Sequence, residues 1–81
     1  MQNVLREPAV LNWDKVIHKG LRTIDGEPLG YIAAEDSQSI YVLSSRFREY
    51  RIPKEKVVSF DGSTVVIDLE FPQMNGYLVA K

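Results

Sequence analysis

The sequence predicts an all-β domain, a barrel or tightly rolled sheet of about six short strands. Three observations carry this. Short runs rich in β-branched and aromatic side chains recur along the chain, the clearest being Ser39-Ile40-Tyr41-Val42-Leu43-Ser44. Turn signals separate these runs at intervals of roughly eight to twelve residues. No stretch longer than about one turn repeats its apolar residues with the 3.6-residue period of a helix, which argues against a long amphipathic helix.

Taken in order, residues 1–12 form an arm in which Val4, Leu5, Val10 and Leu11 are split by Arg6-Glu7-Pro8. Pro8 biases the residue before it away from helix. Asp14 to Ile17 make one helical turn, and residues 19–24 the first strand. Asp25-Gly26 is a hairpin turn, because glycine takes a positive φ without a steric cost. Pro28 fits the mouth of the next strand, residues 29–34, in which Gly30, Ile32 and Ala34 face one way and Leu29, Tyr31 and Ala33 the other. A polar turn at 35–38 leads to the third strand at 39–44. Tyr50-Arg51-Ile52 is a short fourth strand stopped by Pro53, and residues 53–56 form a turn or one turn of 3₁₀ helix. Val57 to Phe60 is the fifth strand, Asp61-Gly62 a second Asp-Gly turn, and residues 64–69 the sixth. Phe71-Pro72 ends that strand, Asn75-Gly76 is a turn, and Tyr77-Leu78-Val79-Ala80 is an apolar run.

Composition sets the limits. With 81 residues there is room for one small core, and 44% apolar, 26% charged residues and a net charge of −1 are ordinary for a globular chain. So short a chain is marginally stable alone, which keeps oligomerisation open. Zero cysteines exclude disulfides, a thiol nucleophile and cysteine-ligated zinc, and a single histidine excludes a multi-histidine metal site. The longest apolar runs are too short to span a membrane, and the first residues carry no leader pattern.

Little in the sequence suggests catalysis. His18 stands alone, with no nucleophile-elbow context around any serine. Asp14, Asp25, Glu27, Glu35, Asp36, Asp61, Asp68 and Glu70 are scattered over turns and strand faces, and Asp25 and Asp61 are explained by turn chemistry. The five glycines are solitary, so there is no phosphate loop. No enzyme activity and no cofactor are expected. The basic segment is richer: Arg46, Arg48, Arg51, Lys54 and Lys56 fall within eleven positions, interleaved with Phe47 and Tyr50. Five cations against Glu49 and Glu55 leave it net +3. Such a segment contacts phosphates and bases, binds an acidic protein surface, or simply keeps an edge strand from pairing. The overall acidity weighs against nucleic acid. Trp13 closes one barrel end or anchors an interface. The apolar tail, with Phe71, Tyr77 and Leu78, either folds back on its own sheet or pairs with a second copy as a homodimer.

Several stretches taken together resemble the PRC-barrel family: Trp13-Asp14-Lys15-Val16-Ile17, Leu21, Asp25-Gly26-Glu27-Pro28-Leu29-Gly30, Ile40 and Val42, Tyr50-Arg51-Ile52-Pro53-Lys54, Val57 and Val65. The resemblance covers residues 13–70, leaving 1–12 as an arm and 71–81 as a tail. Its most specific pieces are the segments at 25–30 and 50–54. His18 occupies a place where that family usually has glycine. The resemblance implies a small, strongly bent antiparallel sheet closed into a barrel that docks other molecules and does not catalyse. It points to small free-standing archaeal proteins, some tied to cell division, and to a cytoplasmic location. The expected function is thus a non-enzymatic protein–protein interaction adaptor. Arg46, Arg48, Tyr50, Arg51, Lys54, Lys56, Phe71, Tyr77 and Leu78 are the expected partner-contacting residues. The alternative, by likeness to the family's ribosome-maturation member, is an RNA- or ribosome-associated module using segment 46–56.

Overall fold

A computed structural model describes residues 10–44 and 46–79; the arm at 1–9, with Val4 and Leu5, and the last two residues lie outside the described residues. The chain starts with a 3₁₀ helix, η1 (Trp13–Val16), begun by the Asn12 side chain, which accepts a hydrogen bond from the Asp14 amide at 3.0 Å. The strands β1 (Gly20–Thr23), β2 (Pro28–Glu35), β3 (Ser39–Leu43) and β4 (Glu49–Pro53) follow. A second 3₁₀ turn, η2 (Lys54–Lys56), leads into β5 (Val57–Phe60) and β6 (Thr64–Ile67), and a third, η3 (Phe71–Tyr77), completes the described chain.

All six strands form one sheet in the order β4-β3-β2-β1-β6-β5. The all-β expectation and the strand count therefore hold. Two finer expectations are corrected. The sheet is mixed and not wholly antiparallel, because β1 and β6 pair in parallel, with Gly20 opposite Thr64 and Thr23 opposite Ile67. Nor is it closed into a barrel: β4 and β5 are its two edges, and no ladder joins them.

The reason for the open seam lies in the connection. β4 and β5 run in the same sense, and only η2 links them. Side-by-side pairing of parallel strands needs a crossover of about a dozen residues or more. A three-residue link can only join the strands head to tail. The same link shows that the sheet is strongly rolled. Six strands laid flat would put the edges about 24 Å apart at ~4.8 Å per strand, whereas the step from Pro53 to Val57 reaches at most about 14 Å.

Bulges help the roll. Pairing slips between Leu21 and Arg22, where Leu29 has no opposite residue, and between Ile32 and Ala34, where Ala33 has none. Strict alternation would send Leu29 and Ile32 to opposite faces; the bulge at Leu29 resets the phase, so both are buried. Gly30 sits between the bulges at φ +154°, and a β-carbon there would lie 2.0 Å from the Leu43 carbonyl oxygen. Only glycine lets β2 pass this close to the end of β3. The concave side is filled: Val16, Ile32, Ile40, Val42, Ile52, Val65 and Ile67 are wholly buried, with Leu21, Leu69 and Met74 beside them.

Residues 71–79 of the tail lie on their own sheet. Asn75-Gly76, expected to be a turn, lies inside η3, whose Gln73 side chain accepts from the Glu70 amide at 2.8 Å. Met74 inserts into the core. Leu78 then bridges Tyr50, and the Val79 amide donates to the Glu49 carbonyl at 2.8 Å, covering the outer edge of β4 at its start.

Candidate functional site

The core is filled mainly by aliphatic side chains, and the predicted partner residues fall around two grooves on the surface. The first is a groove of about 370 Å³ between the β3–β4 turn and the start of η3, lined by Arg46, Arg48, Tyr50 and Phe71 together with Pro28, Leu29 and Ser44. The second, of about 810 Å³, lies between β4 and the end of η3 and takes in Arg51, Pro53, Lys54, Tyr77 and Leu78. Lys56, at the end of η2, lines neither.

The first groove is shaped by one serine and one aspartate. The Ser44 amide donates to the Arg48 carbonyl at 2.9 Å, and the Phe47 amide donates to the Ser44 carbonyl at 3.1 Å. The Ser44 hydroxyl oxygen accepts from the Arg46 and Arg48 amides, each at 3.3 Å. The tight turn leaves Phe47 at φ +63°, an uncommon conformation for a residue with a side chain, and the residue is 90% exposed. Across the groove, the Phe71 amide donates to both Asp25 carboxylate oxygens, at 3.2 and 3.3 Å. The buried Thr23 hydroxyl also donates to Asp25. That hydroxyl is the main reason the Asp25 carboxyl titrates below its ordinary range; partial burial opposes it, and the Phe71 amide adds to it. Phe71 is thereby pinned with its ring 47% exposed.

Tyr50, read from sequence as a surface aromatic, is only 5% exposed and forms part of the core. Its ring is therefore closed to base stacking. Arg46 and Arg48 are exposed, and among the described residues neither guanidinium makes a hydrogen bond or salt bridge. Among the described residues no carboxylate lines this groove.

In the second groove one cation, Lys54, is already paired. The Lys54 ammonium sits 2.6 Å from the Glu35 carboxylate and 4.7 Å from the centre of the Trp13 ring, and Glu55 lies in the same lining. Arg51 stands near Asp36. The Asp36 carboxyl is held down to about 2, first by the Tyr41 hydroxyl at 2.6 Å, then by the Gln38 and Ser39 amides, with the Arg51 charge a smaller contribution. The same bond raises the Tyr41 hydroxyl above its usual range.

His18 takes φ +71°, and its amide donates to the Ile32 carbonyl at 2.7 Å at the lead-in to β1. Among the described residues no three of His, Asp and Glu come together as a metal site, and no helix is long and apolar enough to cross a membrane. Sequence reading missed the presentation of Phe47 and the roles of Ser44 and Pro28. A left-handed phenylalanine has no local signature, and Ser44 reads as the last residue of a strand. Compared with known proteins, the chain matches no family model, no curated protein and no solved structure.

Proposed function

We propose that this chain is a non-catalytic protein-interaction module of the PRC-barrel kind that residues 13–70 resemble, docking through the outside of the rolled sheet and the tail. One observation carries the reading: the aliphatic core is sealed, while Phe47 and Phe71 are held out beside two arginines that the described residues leave unengaged. Aromatic side chains next to arginine are the composition of interface anchors. His18 lends support to the resemblance, since it occupies the family's glycine place in a backbone conformation that glycine favours. The RNA alternative has less behind it, because Tyr50 is buried and Lys54 is paired.

The test is reconstitution. A partner isolated on the whole chain from its native organism is purified and titrated against wild type and Phe47→Ala/Phe71→Ser. The double variant should weaken binding by about tenfold or more, the size of a lost anchor. A purified partner that binds both proteins equally, or no partner at all, overturns the reading.

A further inference from the structure

Resting on that docking reading, we infer that the groove between the β3–β4 turn and η3 takes a short acidic peptide segment of a partner protein, with an apolar side chain seated beside Phe71. Charge complementarity carries the argument. Arg46 and Arg48 line the groove, and among the described residues no carboxylate lines it and neither guanidinium makes a hydrogen bond or ion pair. Each offers a planar fork of donors that matches a carboxylate in two-point contact. One other cation of the same basic segment is treated differently. Lys54, in the neighbouring groove, is neutralised by Glu35 and covered by Trp13.

The apolar half of the ligand follows from the rest of the lining. Leu29 and Tyr50 are buried beneath the groove, and Pro28 and the half-exposed Phe71 stand at its wall. Such a surface gains from desolvation by one large apolar side chain, with the carboxylates supplying orientation and encounter rate. A short peptide fits better than a polyanion or a lipid surface. Glu27 and Glu70, both exposed, adjoin Pro28 and Phe71 in sequence and would repel an extended anionic chain or plane, while a short segment between the arginines avoids them. Two guanidiniums also make a small electrostatic footprint for nucleic acid.

The whole chain is panned against displayed random dodecapeptides, and the best peptide is then synthesised. Selected peptides should combine Asp or Glu with a nearby Phe, Trp or Leu. Arg46→Glu/Arg48→Glu, with an unchanged melting temperature, should weaken the synthetic peptide by about tenfold or more, while Arg51→Glu stays within about twofold. Neutral or basic selections, or equal binding to Arg46→Glu/Arg48→Glu, overturn the inference. So does tighter binding of oligouridylate RNA or phosphatidylserine vesicles than of any selected peptide. If the selected peptides bind the other groove, lost in Leu78→Glu alone, the acidic-peptide inference falls and the docking reading stands. If nothing is selected and no partner can be reconstituted, both fall.

Discussion

The two halves of the basic segment face different tasks. Residues 46–48 project two arginines and a phenylalanine from a turn held by Ser44, and the described residues do nothing to satisfy their charge. In residues 51–56 one cation is used within the fold, Lys54 on Glu35 and Trp13, while Arg51 only adds a small attraction to Asp36. A charge run in a sequence thus says little about use. What separates a binding cation from a structural one is whether the fold brings a carboxylate to it. Here β2 brings Glu35 to Lys54 in the second half, and among the described residues no carboxylate pairs with the first.

The largest effect on this contrast should come from Gly30→Ala. The added methyl would meet the Leu43 carbonyl and Ser44 backbone, the base of the turn that presents Arg46 and Arg48. Backbone overlap with strain should cost roughly 4 kcal/mol, against a whole-domain stability of about 4–12 kcal/mol at this length. Urea unfolding should show a midpoint lowered by about a third of its wild-type value or more, and a midpoint near wild type would disprove the close approach. Met74→Ala should cost about 2–4 kcal/mol by leaving a cavity under η3. Because η3 supplies Phe71 to one groove and Tyr77 to the other, this change should blur the distinction, and amide exchange should quicken at Phe71 and Val79 together.

The direct test is milder. Lys54→Ala should lose about 1 kcal/mol, from a partly buried ion pair and a cation–ring contact. Arg46→Ala and Arg48→Ala should each stay within ~0.5 kcal/mol by thermal melts. Equal losses in all three would erase the division. The smallest effect concerns acid. Asp36 titrates well below its ordinary value, so its bonds stabilise the fold above about pH 4 and that contribution drains away as pH falls toward about 2. Asp36→Asn should flatten the acid limb of a stability–pH curve, and an unchanged limb would place the sensitivity elsewhere, with Asp25 or Asp61.

The features that sequence reveals here are the local ones. Alternating β-branched residues mark the six strands. Asp25-Gly26 and Asp61-Gly62 mark two hairpins, with glycine at φ +90° and +98°. Pro53 marks the end of β4. The parallel pairing of β1 with β6 joins residues more than forty positions apart, and nothing in either strand encodes the partner. The bulges at Leu29 and Ala33 are hidden because a skipped residue leaves composition unchanged. The 3₁₀ helix at Phe71–Tyr77 is too short to show a period, and Asn75-Gly76 within it mimics a turn. For the grooves, residue type was legible and placement was not. Arg46, Arg48 and Phe71 line one groove although Asp25, which captures the Phe71 amide, and Met74, which anchors η3, stand far from the arginines in sequence.

The seam between β4 and β5 has a mechanical meaning. A ring of strands zipped all the way round resists peeling from every side, whereas this scroll is stitched shut by one short covalent thread at Lys54–Lys56. A protease that severed that thread would free the margin at β5, while β4 would keep the tail's bonds along its start, so the scroll would uncurl from one side first.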